Sequence, residues 1–398
     1  MKPYLCIEWN DTESEAVGWL VIHNFVNGYT GGGIRMHPAV TREEVLRLAE
    51  CMAYKYKAGE SRFCGGCKGG IAYDSRRPDA GEVLRRYIIA MMPYIRTGVS
   101  LGGDYGTRYG DILKIFSEFG LDMPMTKSMR ADPKIMENME AYNRLLDETV
   151  YGRPLNDVIA GYGVACSADE AFAALAPGRK ADVVIQGMGR VAFGCASRLA
   201  ELGHRIVGMA DSQVFVHSAQ GLDVEALYRM KRECRVLDRD GLPEGWETYP
   251  TEACVAAECD VLIPAALANT VNGNNAASVK AGLVVEAANI AVSPEADEIL
   301  KKRGVRLICD FTANLSEAWL YDAVFFGAVT PELSSVLAGA EALCRRNAAK
   351  QMRCALEDGI YARESARELF EPDVQDLPDI EGKQNADDRE IIHKRTEL

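Results

Sequence analysis

Long apolar runs are absent from this 398-residue chain. None approaches the roughly 18 residues that a membrane-crossing helix needs, so a helical membrane protein is not expected. Positive charge is in deficit: 45 Lys and Arg stand against 58 Asp and Glu, a net charge of −13. A surplus of carboxylates repels phosphate backbones, and no local basic cluster offsets it, so nucleic acid is not an expected partner. Histidine is scarce. His23, His37, His204, His217 and His393 are too dispersed to propose a histidine metal centre. Cys64 and Cys67 form one C-x-x-C pair, but no second pair at zinc spacing accompanies it; Cys254 and Cys259 are five apart and alone. No metal is therefore expected. The opening stretch MKPYLCIEWNDTESE lacks the basic-then-apolar layout of a secretion signal. Twelve cysteines scattered without an export signal then read as reduced thiols of a cytoplasmic protein.

What is present is an ordinary globular composition, 48% hydrophobic and 26% charged, in a chain long enough for two domains. Gly18–Val26 and Gly31–Arg35 read as strands. Thr41 opens a helix, because Thr41 and Glu44 fit the T-x-x-E capping box and an apolar stripe follows; this helix delivers Lys55 near its end. A glycine cluster at Gly65, Gly66, Gly69 and Gly70 comes next. From about Asp157 strand-like runs (Ala181–Ile185, Arg205–Met209, Val261–Ile263, Leu283–Glu286, Val305–Ile308) alternate with helical segments. One of these runs from Ser293 as N-cap, through Pro294 in the first turn, to Gly304 as stop. Alternating strands and helices predict an α/β fold with a parallel sheet. The expected division is an N-terminal α/β substrate domain over 1–150 and a dinucleotide-binding domain over 151–330, with the active-site cleft between them. Helices over 331–370 would pack back on the first domain, and 371–398 would form a charged, mobile tail.

The best-placed motif is Gly187-Met188-Gly189-Arg190-Val191-Ala192, a G-x-G-x-x-A directly after a strand and before a helix. Its first glycine permits the tight turn, its second lets a pyrophosphate approach the backbone, and Ala192 lets helix and strand pack closely. Gly187, Gly189, Arg190 and Val191 are therefore candidate cofactor contacts. Asp211 ends the next strand, 24 positions after Gly187, where a carboxylate would bind the ribose; it would favour NAD over NADP, since a 2′-phosphate would meet like charge. A turn residue is the competing reading of Asp211. In the first domain Lys68 sits among four glycines, which would leave exposed backbone and room for a small substrate. Lys55 reads as either a companion cation or a surface lysine, and Asp104, in GGDYGT, as either a functional acid or a turn residue.

Together these stretches resemble the glutamate/leucine/phenylalanine/valine dehydrogenase family. The matching signatures are GGGIRMHPAVT from Gly31, MAYK ending at Lys55, GGCKGG around Lys68 and GGDYGT around Asp104. Further on come VIQGMGRVA from Val184, LIPAALANTV from Leu262 and VVEAANIAVSPEADEIL from Val284. They occur in the family's order. The resemblance implies NAD-dependent, reversible oxidative deamination of an L-amino acid to a 2-oxo acid and ammonia by a homo-oligomer. It implies that Lys55 holds the substrate α-carboxylate beside Gly32 and Gly33, that Lys68 activates water, and that Asp104 exchanges protons with the substrate nitrogen. Asn289 would contact the nicotinamide ribose, with Asn269 and Asn314 on the same rim. A free lysine titrates near 10.4. A second ammonium and partial desolvation both disfavour the charged form, so two adjacent lysines would bind a carboxylate and prime a base.

The sequence leaves the family's pattern in places. Glutamate-specific members carry a lysine just before the G-G-x-R, where this chain has Gly31, so glutamate specificity is not expected. The family's threonine at the start of the cofactor domain's first helix corresponds to Ala160. The N-A-G-G-V stretch reads Asn314-Leu315-Ser316-Glu317-Ala318 here, and Glu317 would suit a cationic side chain or else face solvent. Lys55 and Lys68 are one residue further apart than usual, and Lys57 is an alternative equivalent. A dehydrogenase or reductive aminase for an unusual amino acid in a specialised pathway, a cationic one being an option, and a catalytically inactive NAD-sensing binding protein are the competing readings. A disulfide between Cys64 and Cys67 would make a redox switch, with small buried thiols as the alternative.

Overall fold

The computed structural model describes residues 2–61, 63–121, 133–233, 237 and 241–372. Within them the chain divides into two units, one drawn from residues 2–53 and 63–121, the other from 54–61 and from 133 to 371.

In the first unit the elements run β1 (Leu5–Asn10), β2 (Val17–Ile22), β3 (Thr30–Met36), α1 (Arg42–Ala58), β4 (Gly65–Ala72), α2 (Ala80–Ile95), β5 (Val99–Gly103) and α3 (Tyr109–Glu118). The sheet order is β1-β2-β4-β3-β5, with β4, β3 and β5 parallel and β1 and β2 antiparallel. The glycine cluster, expected as exposed backbone, is β4 itself, and almost every residue of it is buried. Its glycines let backbone approach backbone. A Cβ on Gly66 would lie 2.1 Å from Ala53 N, and one on Gly70 would lie 2.3 Å from Val45 Cγ2, so α1 already fills the space beside Lys68 on that face. A Cβ on Gly69, on the opposite face, would lie 2.9 Å from the Tyr87 hydroxyl of α2. Successive strand residues alternate faces, which puts Lys68 on the α1 side, between Gly66 and Gly70.

The capping box at α1 is half made. Glu44 N donates to Thr41 Oγ1 at 3.2 Å, but the Glu44 carboxylate turns away to accept from Arg35 Nη1 at 2.7 Å. The last turn of α1 belongs with the second unit, where Asn347 Nδ2 donates to Ala58 O at 2.9 Å and the Tyr54 ring lies 4.9 Å from that of Phe311.

The second unit opens with α4 (Pro133–Leu146), the short pair β6 (Thr149–Val150) and β7 (Arg153–Pro154), and α5 (Leu155–Leu175). The dinucleotide-type core follows: β8 (Asp182–Gln186), α6 (Arg190–Glu201), β9 (Arg205–Ala210), β10 (Phe215–His217), α7 (Val224–Glu233), β11 (Glu247–Tyr249), β12 (Val261–Pro264), β13 (Leu283–Val285), α8 (Pro294–Lys302) and β14 (Arg306–Ile308). Four helices close the described chain: α9 (Asp310–Ala313), α10 (Ser316–Phe325), α11 (Leu333–Glu357) and α12 (Ala362–Leu369). The sheet order is β11-β10-β9-β8-β12-β13-β14, with β9, β8, β12, β13 and β14 parallel and β10 antiparallel to both of its neighbours, β9 and the edge strand β11. Strand order reverses at β8, between β9 and β12, which is where such sheets bind ligands at the carboxyl ends of their strands. Ser293 caps α8 as expected, its Oγ accepting from Ala296 N at 3.2 Å.

Two sequence expectations change here. The 21-residue α5 is long and apolar enough to cross a membrane, but most of it is buried within the unit as a core helix. Its Gly161 would meet Val191 O at 2.2 Å if it carried a Cβ, so α5 and α6 cross in backbone contact. The helices after residue 331, expected with the first domain, belong to this second unit: Val336, Ala340 and Cys344 of α11 share one apolar cluster with Val158, Tyr162 and Leu320. The expected tail lies outside the described residues from position 373 onward.

Candidate active site

In the first unit three charged side chains from three parallel strands converge. Lys68 Nζ of β4 lies 2.8 Å from Asp104 Oδ2, just past the end of β5, and Arg35 Nε of β3 donates to the same oxygen at 3.0 Å. Lys68 is 3% exposed. Arg35 is also held by Glu44, and Asp104 N donates to Thr107 Oγ1 at 3.0 Å, which fixes the turn that aims the carboxylate. Burial alone would raise the Asp104 carboxyl, but the Lys68 ammonium and the Arg35 guanidinium outweigh it and hold it well below the ordinary carboxylate range. The structure thus brings Lys68 and Asp104 together and adds Arg35, which the sequence reading missed. The available signal was an arginine inside a buried apolar strand, GGGIR.

Gly32 and Gly33 serve strand packing directly. A Cβ on Gly32 would fall 1.9 Å from Cys67 O, and one on Gly33 would fall 2.6 Å from Gly103 O. Cys67 is buried, its thiol pushed up to about 12 chiefly by that burial, and it donates to Ser100 O at 3.7 Å. Cys64 precedes β4 and Cys67 is within it; three extended residues span roughly 10 Å, beyond the roughly 7 Å limit for a disulfide. The C-x-x-C is therefore not poised as a redox pair.

The second unit carries the remaining candidates. Lys55 is buried, and its Nζ donates to Asn289 Oδ1 at 2.6 Å, whereas Lys57, two positions on and on another face of α1, is only half-buried. Asn289 Oδ1 also accepts from Asn314 Nδ2 at 3.1 Å, and the same Nδ2 donates to Ala287 O at 2.9 Å. Asn269, with φ of 54°, donates its N–H to Ile290 O at 2.9 Å and so braces the same turn by its backbone. Ser316 turns inward, its Oγ donating to Ile159 O at 2.8 Å. Glu317 is exposed in the first turn of α10, where a carboxylate complements the helix dipole.

The fingerprint adopts the conformation its sequence predicts. Gly187 has φ of 141°, its N–H donates to Ala210 O at 2.7 Å, and its Cβ position lies 3.4 Å from that of Ala192. Gly189 caps α6 and nothing lies within 4 Å of where its Cβ would be. That open space at a helix N-terminus fits a pyrophosphate. The Asn314 Oδ1, buried and without a hydrogen-bond partner among the described residues, offers an acceptor that a bound amide would satisfy. Val191 is half-buried beside the core, while Arg190 is exposed and reaches Asp157 at 3.2 Å. Asp211 is less available than expected. Its Oδ1 accepts from Gln213 N and Val214 N, as a turn residue's would, and its Oδ2 pairs with Lys231.

Comparison with known proteins identifies the family. Residues 152–315 match the Glutamate/Leucine/Phenylalanine/Valine dehydrogenase family, and residues 6–120 match the Glu/Leu/Phe/Val dehydrogenase dimerisation domain. The chain is 32% identical to a glutamate dehydrogenase of Thermotoga maritima, over 75% of this chain and 69% of that protein. It is 32% identical to an NADP-specific glutamate dehydrogenase of Saccharolobus shibatae, over 75% and 68%. A crystal structure of a hetero-hexameric glutamate dehydrogenase from Thermus thermophilus in a leucine-bound form superposes with a TM-score of 0.72 at 25% identity, covering 92% of this chain and 87% of that one. The protein belongs to the Glu/Leu/Phe/Val dehydrogenase family and is an amino acid dehydrogenase, an oxidoreductase acting on the CH–NH2 group of its donor.

Proposed function

We propose that the protein catalyses NAD-linked, reversible oxidative deamination of an L-amino acid other than glutamate. The observation that carries this reading is the buried Lys68–Asp104 pair, oriented by Arg35. Bound NAD would accept a hydride from the substrate Cα. Asp104, a carboxylate between two cations, would accept a hydrogen bond from the substrate ammonium and pass its proton on to solvent, since the flanking cations leave it too weak a base to keep that proton. Lys68, once its own proton has passed to solvent, would take a proton from the water that attacks the iminium carbon and return it to the nitrogen. The carbinolamine would then collapse to the 2-oxo acid and ammonia as its hydroxyl proton passes back to Lys68. Such general acid–base help is typically worth about 10² to 10⁴ in rate. Lys55, held by Asn289, supplies the cation for the α-carboxylate.

Selectivity rests on Gly31. The relatives above are named glutamate dehydrogenases, but a glycine in β3 offers no cation to a side-chain carboxylate. Exposed Glu317 gives no support to a cationic substrate, and the assembled Lys68–Asp104 pair argues against an inactive sensor. NAD is favoured by Asp211 as a ribose acceptor, although Lys231 offsets part of the repulsion that a 2′-phosphate would meet. The matched dimerisation domain supports a homo-oligomer. A spectrophotometric screen of amino acids with NAD and NADP tests the reading. Neutral aliphatic amino acids should exceed glutamate by at least about tenfold in kcat/KM, a gap of about 1.4 kcal/mol. Glutamate as the best substrate would overturn the selectivity, and no reduction of either cofactor with any amino acid would overturn the activity.

A further inference from the structure

We infer that Arg363, on α12, is a positioning residue that fixes the Asn289 turn through the buried carboxylate of Glu286. The inference rests on the proposed role of that turn in binding the nicotinamide end of the cofactor. The turn connects β13 to α8, and two acids hold its backbone from below. Val292 N donates to Glu286 Oε1 at 2.7 Å, and Ile290 N donates to Asp310 Oδ2 at 2.7 Å. Asp310 N donates in turn to Glu286 Oε2 at 3.2 Å, which ties the two supports together. Ile290 has φ of 48°, a left-handed conformation that a β-branched residue adopts only under constraint. Glu286 is 0% exposed and Asp310 is 2% exposed.

Two acids so placed need a cation, and α12 brings it. Arg363 Nη2 lies 2.9 Å from Glu286 Oε2, an ion contact off the line of a good hydrogen bond, while its Nε donates to Asp297 Oδ2 at 2.7 Å. Tyr361, at the start of α12, donates its hydroxyl to Asp297 Oδ1 at 2.7 Å, and Gln351 of α11 anchors the helix through Ala362 O at 2.8 Å. Burial pushes the Glu286 carboxyl up, and Arg363 opposes that push. Without the guanidinium, Glu286 takes up a proton, and an oxygen carrying that proton no longer accepts from Asp310 N. The turn then loses one support, and Asn289 moves from its place against Lys55 and Asn314.

The test compares wild type with Arg363→Met and Arg363→Lys. In the protein without cofactor, hydrogen–deuterium exchange read by mass spectrometry should speed up at Ile290 and Val292 in Arg363→Met. The NADH dissociation constant, from fluorescence titration, should rise about tenfold or more, a change of about 1.4 kcal/mol. Arg363→Lys keeps the charge but cannot bridge Glu286 and Asp297 as a planar guanidinium does, so its shift should be intermediate. It also provides the readout if Arg363→Met does not fold. Either variant binding NADH as wild type does, with a lowered Tm alone, would overturn the positioning role. Failure of wild type itself to bind NADH would instead overturn the proposed cofactor.

Discussion

Replacing Asp104 with Asn keeps the shape of the first unit's charged cluster and removes one charge. Asp104 Oδ2 lies 2.8 Å from Lys68 Nζ and 3.0 Å from Arg35 Nε. At an effective dielectric constant near 20, unit charges at the first distance attract by about 6 kcal/mol before desolvation is counted. Most of that is offset by the cost of taking both groups out of water, but the cost of burying the cation remains when its partner goes. Arg35 keeps Glu44 at 2.7 Å, so the loss falls on Lys68, which is 3% exposed. Stripping one member from a buried pair typically costs about 3–5 kcal/mol. Asp104→Asn should therefore lower the unfolding free energy by about that much in urea melts followed by circular dichroism. Turnover on the best amino acid should fall by about 10² to 10⁴ if Asp104 exchanges protons with the substrate nitrogen as proposed. Pairing it with Lys68→Met, which removes the stranded cation, should recover much of the stability and none of the activity. Asp104→Asn within about threefold of wild-type turnover would refute the assignment, whatever its stability, because a merely structural carboxylate has no claim on the rate.

The other predictions concern separate parts of the molecule. Lys55→Met should raise the KM for the amino acid more than it lowers kcat, because the buried ammonium on Asn289 binds substrate in ground and transition states alike; a KM at the wild-type value would count against it. Gly66→Ala should destabilise the first unit by about 1–3 kcal/mol or more, since the new methyl would sit 2.1 Å from Ala53 N and α1 would have to lift; an unchanged urea midpoint would contradict the packing. Burial lowers His23 from 6.5 to about 4, favouring the neutral ring in the folded state. Its contribution is present above pH 6.5 and lost as pH falls toward 4, amounting to about 3 kcal/mol. His23→Gln should flatten the stability-versus-pH curve in that window, and a slope identical to wild type would show the titration lies elsewhere.

The second unit was largely legible in the sequence because its local signals agree with its tertiary structure. Val183, Val184 and Ile185 form a continuous buried run ending at Gly187, Ser293 caps α8, and the fingerprint places its glycines where the turn needs them. The first unit was harder for a physical reason. Glycine carries no side chain for a periodic pattern to register, so Gly65–Ala72 looks like a flexible loop until the helices that use its missing Cβ atoms are seen. The same blindness hid Arg35, whose role exists only once three parallel strands lie side by side, and Arg363, which meets Glu286 across 77 positions of chain. Asp211 shows the converse failure. Its spacing from Gly187 was right for ribose recognition, yet spacing carries no information on whether a lysine from α7 will already hold the carboxylate. Local sequence therefore locates the glycine turn and Lys68 as candidates, while the charges that surround and position them come from long-range pairing. Those pairs follow the register of sheets and the docking of late helices, and this explains why Asp104, Arg35 and Arg363 matter more than their local sequence suggests. Substitutions that leave every local motif intact but alter these three partners should disable the protein more than changes to the fingerprint's exposed Arg190, whose charge is already shared with Asp157 at 3.2 Å.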